Sequence, residues 1–386
     1  MLNIPYGRQH ISQDDVEAVV KTLQAAYLTQ GPTVQAFEEA FAQYVDARYA
    51  VAVTNGTAAL HLCALALGVE PGTKVITTPI TFAASANCIR YCGGQVVFAD
   101  VEPNTALLDI EKVRLLLESH PKGTFSGIIP VDFAGQAVDL ASFRALADEY
   151  DLWIIEDACH APGGYFTDGK GMKQRCGNGQ FADAAIFSFH PVKHIACGEG
   201  GMITTNDREI YEKLLLLRTH GITKDPTQLQ ENHGGWYYEM QELGFNYRIS
   251  DINCALGLSQ MNRAHARLAK RQAIAKVYDQ AFMDTPIRPL TQPLDGGHAY
   301  HLYVIQTQER KLLYDQLRAQ GVYAQVHYIP VHLQPYYQRL GWRKGDLPVA
   351  EEYYEQCLSL PMYPELTLAE QLQVIELTKS SILCEH

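Results

Sequence analysis

YAVAVTNGTAALHLCALAL (residues 49–67) decides the fold. Its first six residues form a short run rich in β-formers, apolar on both faces. Asn55-Gly56-Thr57 punctuates the run, and the stretch after it reads as a helix. A strand that is apolar on both sides belongs in a sheet covered on both faces, which for strand–turn–helix units means a parallel sheet. The same alternation continues downstream. KVITTP (74–79) is a strand ending at Pro79, and a helix follows from about Phe82 to Tyr91. QVVFADV (95–101), SGIIPVDF (126–133) and LWIIEDA (152–158) are further strands, with a helix over Asp139–Tyr150 between the last two. Upstream, residues 12–26 read as a helix with Ser12 as N-cap, because Val16, Val19, Val20 and Leu23 recur at helical spacing. A second helix covers about Thr33–Tyr44.

Beyond Phe245 the texture changes. A long helix over Asp251–Tyr278 leads into HLYVIQT (301–307), a helix from Lys311, and VYAQVHYI (322–329). The expected division is a large α/β domain over 1–245 and a smaller α+β domain over 246–386.

The 386 residues carry a formal charge of −12, so the chain's field repels the backbone of a nucleic acid. No run approaches ~18 consecutive apolar residues, which argues against a membrane span. MLNIPYGRQH lacks the basic and apolar regions of a secretory signal. The nine cysteines (63, 88, 92, 159, 176, 197, 254, 357 and 384) are odd in number and scattered, with no Cys-x-x-Cys pair. They read as reduced, and the expected location is cytoplasmic.

Ligands of parallel sheets gather at the carboxyl ends of the strands. Asn55-Gly56-Thr57, Thr81-Phe82, Asp157 and His160 all fall there. SFHPVKHIACGEGGMITTN (188–206) adds a lysine, Lys193, among small residues before a short strand. A buried lysine loses its charge readily and can condense with an aldehyde; taken alone, a lysine is more often an ordinary surface residue. Asp157 ends an apolar strand and can hold the protonated pyridine nitrogen of pyridoxal phosphate (PLP), although a strand-end Asp often only caps a helix. Gly56 lets the backbone approach an anion at a helix start, with Thr57 and Ala58 in the same turn. Equally, Asn55 or Thr57 serves as a plain cap. Ser188 is a second phosphate donor, and Phe82 either stacks on a ring or packs in the core. His190 and His194 flank Lys193, but Pro191 disfavours the helical turn that would align them and no carboxylate sits at a convenient offset, so no metal is expected.

NGTAALHL (55–62), TTPITFAASAN (77–87), EDACHAPGG (156–164), SFHPVKHIACGEGG (188–201) and GFNYRISDINCALG (244–257) together resemble the DegT/DnrJ/EryC1/StrS sugar aminotransferases. These are PLP enzymes of fold type I, the aspartate aminotransferase-like fold. The resemblance implies a mostly parallel seven-stranded sheet in the large domain. It implies Lys193 as the Schiff-base lysine and acid/base, Asp157 on the pyridine nitrogen and His160 near the ring hydroxyl. Phe82 would stack on the ring; Thr57 and Ser188 would hold the phosphate, with pyridoxamine phosphate as the intermediate form. It further implies a homodimer in which Asn246 reaches the neighbour's phosphate, and Arg248 as a grip for the donor carboxylate. Members that act as 3-dehydratases have histidine where Lys193 stands.

PYGRQHIS (5–12), LTQGP (28–32), ITTPITF (76–82) and VHYIPVHLQPYY (326–337) resemble one branch, the aminotransferases of pseudaminic acid biosynthesis. That branch uses L-glutamate and a UDP-linked 4-keto sugar, and implies substrate contacts from Tyr6, Tyr27, Leu28, Thr29, Gln30, His327, Tyr328, Ile329, Pro330 and Tyr337. A different nucleotide-linked 4-keto sugar, or a noncatalytic sugar-nucleotide-binding paralogue, are the competing expectations.

Overall fold

Alternating strands and helices assemble one seven-stranded sheet in the computed structural model, which describes residues 3–293 and 297–383; Cys384 lies outside the described residues. In chain order the strands are β1 (Tyr49–Val53), β2 (Lys74–Thr77), β3 (Gln95–Phe98), β4 (Gly127–Ile129), β5 (Trp153–Asp157), β6 (Ala184–Ser188) and β7 (Gly201–Thr205). Their order across the sheet is β1-β7-β6-β5-β4-β2-β3. Only β7 runs antiparallel to its neighbours, pairing Gly201 with Val53 on one side and with Ser188 on the other. The remaining pairings are parallel.

Val51, Ile76, Ile128, Ile154, Ile155, Ile186 and Ile203 are fully buried, as the doubly apolar strands require. Each such side chain stabilises the fold by roughly 1.5–3 kcal/mol. At the carboxyl end of β1, Gly201 of β7 comes so close that a Cβ there would lie 2.5 Å from the Asn55 carbonyl. Glycine is what lets the antiparallel strand dock beside the turn.

The second core gathers around a three-stranded antiparallel sheet of Arg288–Pro289, Tyr303–Gln306 and Cys357–Leu360. Tyr278, Leu313, Leu317 and Val374 fill it from the surrounding helices. Ile4 belongs to this core as well, because Ile4–Pro5 pairs in parallel with Val322–Tyr323.

One feature departs from the sequence reading. The expected helix over 251–278 is two helices, Asp251–Met261 and Ala264–Phe282. Asn262 and Arg263 donate to carbonyls three residues back (Ser259 and Gln260), tightening the last turn and ending the first helix. The first helix, Gln13–Leu23, is capped by Ser12 in a capping box with Asp15, but it buries Asp15 and Thr22 while Val16, Val20 and Leu23 stay exposed. Asp15 accepts from Ser259 Oγ (2.6 Å), Gln260 Nε2 (2.7 Å) and Arg263 (2.6 Å). Burial pushes its carboxyl up, yet these bonds and the Ser12 N–H prevail and hold it below the usual range. A polar network sets the face of this helix, and the valine stripe points away from the core.

Among the described residues no helix is long and apolar enough to cross a membrane, and the eight described cysteines are all free.

Candidate active site

A cavity of about 800 Å³ opens at the carboxyl ends of β1, β2, β5 and β6. Its lining includes Asn55, Gly56, Thr57, Ala58, Phe82, Asp157, His160, Ser188 and Lys193, so residues from four separate motifs meet in one place.

β1 leads into the first helix start at the cavity. The helix Gly56–Ala66 starts directly after it, and Asn55 caps it by accepting from the Ala58 N–H at 2.8 Å. Capping and anion binding are compatible here: Ala58 is satisfied internally, while Gly56 and Thr57 present first-turn N–H groups that no preceding helical turn can reach. A Cβ on Gly56 would meet the Ser188 Cβ at 3.0 Å, so glycine leaves the gap between the helix start and β6. The Ser188 hydroxyl oxygen accepts from the His190 N–H at 3.4 Å.

β5 delivers Asp157, which is buried. Ser85 Oγ donates to its Oδ2 at 2.6 Å and the Cys159 N–H to its Oδ1 at 3.2 Å. His160 follows directly after Cys159. Its Nδ1 accepts from the Ala134 N–H (3.3 Å), which places the proton on Nε2, and Nε2 then donates to the Tyr328 hydroxyl at 3.2 Å. Burial, and then the Lys193 charge, hold this imidazole neutral.

Lys193 sits in the loop after β6, half-buried, with Nζ 3.4 Å from His301 Nε2. Burial lowers its pKa, against the opposing pull of Cys159 and Asp157. A larger fraction of neutral, nucleophilic amine at neutral pH follows. Its neighbour His194 is buried and donates Nε2 to the Ala299 carbonyl at 2.8 Å, which anchors the lysine loop to the second half of the chain. His190 is exposed.

Sequence reasoning did not single out Ser85, Tyr247, Glu199 or His301, all of which line the cavity. Ser85 carries a readable signal: it lies one helical turn after Thr81 in a strand-end segment. His301 lies 108 residues from Lys193 and carries none. It is held by Arg271, a buried guanidinium that donates to the carbonyls of Tyr300, His301 and Met362. Behind Asp157, the buried group Asp132, Glu156 and Cys176 contains two carboxyls. Burial pushes both up, Asp132 to about 6, and their mutual charge raises Glu156 further. One proton shared between them satisfies that geometry.

The remaining sequence candidates divide. Tyr6, His327 and Tyr328 line the cavity, and Tyr6 is placed there by the pairing of Ile4–Pro5 with Val322–Tyr323. Tyr27, Leu28, Thr29 and Gln30 are exposed on a loop outside it. Asn246 and Arg248 form single bridges to Thr219 and Val53, also outside the lining. Ile329 lines a second cavity with Arg310, Lys311 and Tyr354. Pro330 is buried beside it, and Tyr337 packs under Phe98 with its hydroxyl on Asn87 Oδ1 at 2.8 Å.

Residues 9–379 match the model of the DegT/DnrJ/EryC1/StrS aminotransferase family. The chain belongs to this family. It is a PLP-dependent sugar aminotransferase, with the α/β fold expected from its motifs. It is 39% identical to the spore coat polysaccharide biosynthesis protein SpsC of Bacillus subtilis, over 98% of this chain and 97% of that one. Identity to the UDP-4-amino-4,6-dideoxy-N-acetyl-beta-L-altrosamine transaminase of Campylobacter jejuni is 36%, over 95% and 94% of the two chains. Among solved structures, Helicobacter pylori PseC, an aminotransferase of pseudaminic acid biosynthesis, superposes with a TM-score of 0.88 at 31% identity, covering 99% of this chain and 100% of that one. The pyridoxamine form of a putative sugar aminotransferase from Streptococcus pneumoniae gives 0.91 at 28%, with coverage of 99% and 100%. The aminotransferase cavity fits PLP on its own geometry. A glycine-lined helix start suits the phosphate, a buried carboxylate suits the ring nitrogen, and a lysine of lowered pKa suits the aldehyde.

Proposed function

We propose that this aminotransferase moves the amino group of L-glutamate to C4 of UDP-2-acetamido-2,6-dideoxy-β-L-arabino-hex-4-ulose. The products are UDP-4-amino-4,6-dideoxy-N-acetyl-β-L-altrosamine and 2-oxoglutarate, a step of pseudaminic acid biosynthesis. The observation that carries the reading is the convergence of Lys193, Asp157, Ser188 and the Gly56–Thr57 turn on one cavity. The resemblance to the Campylobacter and Helicobacter proteins supports the choice of sugar.

In this reading Gly56, Thr57 and Ser188 hold the cofactor phosphate, Asp157 the ring nitrogen and His160 the ring hydroxyl, with Phe82 over the ring. PLP supplies an electron sink when bound. The chain's own part is proton handling: Lys193, as a neutral amine, takes the proton from the glutamate Cα and later returns one at sugar C4. Tyr6, His327 and Tyr328 line the side from which the sugar enters.

The reading includes a homodimer. Val16, Val20, Leu23, Tyr27, Leu28, Trp236 and Leu243 are exposed apolar residues, and Trp236 sits between the strands Ile222–Thr223 and Glu239–Met240. Such an apolar surface suits a second copy. Asn246 and Arg248, which lie outside their own chain's cavity, are then candidates for completing the partner's site.

A second reading, another nucleotide-linked 4-keto sugar, is favoured by the higher identity to SpsC. Incubation with glutamate and a panel of UDP- and dTDP-4-keto sugars, with products determined by NMR, separates the two. Amination of a different sugar at a rate above that of the arabino-hexulose overturns the first reading. For the dimer, mixing Lys193→Ala with Asn246→Ala protein restores activity only if sites are shared between subunits.

A further inference from the structure

We propose that Ser85 is the positioning residue of Asp157, the end of a two-hydroxyl relay that fixes how this carboxylate faces the cofactor. The proposal rests on the reading that Asp157 holds the ring nitrogen of PLP.

Asp157 stands at the last position of β5, and among the described residues its carboxylate accepts from Ser85 and from the Cys159 N–H. The Cys159 N–H occupies Oδ1 at 3.2 Å, within the turn that follows the strand. Ser85 Oγ occupies Oδ2 at 2.6 Å, from the first turn of the helix Ala84–Tyr91, 72 residues earlier in sequence. Ser85 is fully enclosed at 1% exposure and Asp157 at 5%, so water does not substitute for the missing donor. The Ser85 hydroxyl has one proton, and the carboxylate is the strongest acceptor within reach. Thr81 Oγ1, 2.7 Å from Ser85 Oγ, therefore donates to it, giving a chain Thr81 to Ser85 to Asp157. Thr81 is also buried, and the three residues line the same cavity.

Donors on both oxygens, coming from two different elements, fix the rotation of the carboxyl group about its last torsion. The lone pairs that remain then face the cavity. Without Ser85 only the local turn holds Asp157, and the carboxyl plane is free to swing. A ring nitrogen bonded to it keeps its proton best when the acceptor is held in line. Helix and strand are thus joined through the chemistry of the site rather than through apolar packing alone.

The test uses full-length protein in four forms: wild type, Ser85→Ala, Thr81→Val and Asp157→Asn. Each is stripped of cofactor and titrated with PLP, and the 15N shift of ring-labelled PLP is recorded once bound. Ser85→Ala is expected to weaken PLP binding about tenfold and to move the 15N shift toward that of unprotonated pyridine. Thr81→Val, which leaves the Ser85 donation in place, moves it the same way by a smaller amount and carries the test if Ser85→Ala does not fold. An unchanged 15N shift in Ser85→Ala, or a change in melting temperature alone, overturns the proposal while Asp157→Asn still shows a large shift. An unchanged shift in Asp157→Asn instead removes the reading of Asp157, and the proposal with it.

Discussion

The floor of the cavity and its wall are built in different ways. The floor comes from strand ends of one sheet: the turn after β1, Asp157 on β5, and Ser188 on β6. Each is held by a bond within its own turn, Asn55 accepting from the Ala58 N–H and Asp157 from the Cys159 N–H, with Ser85 of the neighbouring helix as a second donor to Asp157. The wall comes from remote segments carrying Tyr6, His301, His327 and Tyr328, and its bonds cross the whole chain. Tyr328 reaches His160 across 168 residues, and Arg271 holds the carbonyl of His301. In the proposed reading the floor performs the chemistry common to the family, and the wall distinguishes a particular sugar.

Substitutions on the floor should therefore cost turnover on every substrate, and those on the wall should cost less. The largest expected effect is Lys193→Ala, which lowers kcat by roughly 10⁴-fold or more while noncovalent PLP binding persists. Absorbance titration and steady-state assays check both halves, and full activity in that variant breaks the comparison at its base. Next, Gly56→Val fills the gap beside Ser188 and should weaken PLP affinity by about tenfold, with a smaller effect on the fold itself. On the wall, Tyr328→Phe removes the acceptor of the His160 Nε2–H. A loss of about 1 kcal/mol, or roughly fivefold in kcat/KM, is expected with PLP affinity nearly unchanged.

The smallest effect is one of stability. Burial lowers the pKa of His298 and His327 from 6.5 to about 3. The unfolded chain binds protons at these sites that the folded chain refuses, so stability falls as the pH drops from 6.5 toward 3 and is full above 6.5. Unfolding free energies from urea titrations at pH 7.5 and 5.5 should differ by roughly 1 kcal/mol per histidine. No difference would place these two rings in contact with water.

The same contrast explains what the sequence disclosed. Apolar runs such as LWIIE and their terminal polar residues are local signals, so the parallel sheet and its rim were legible before any coordinates. Asn55 shows why a capping and a binding role need not compete, since the cap uses Ala58 and leaves Gly56 and Thr57. His301 was invisible because nothing near it in sequence marks it; its position depends on Arg271 and on a core assembled from both ends of the chain. The apolar stripe of Val16, Val20 and Leu23 marks its helix correctly but does not say which way that helix faces. Periodicity identified the helix, but the buried acceptor Asp15, bonded to residues 259–263, decided which side faces inward. Tyr337 belongs with the core residues of its segment for as long as its hydroxyl stays on Asn87.

The parallel pairing of Ile4–Pro5 with Val322–Tyr323 also imposes an order on synthesis. Once β7 has left the ribosome the strand ends around Lys193 can associate, yet residue 4 still has no partner and Tyr6 no seat. More than a hundred further residues must emerge before the opening of the cavity is framed. The nascent chain therefore passes through a stage at which the lysine is displayed without its enclosure.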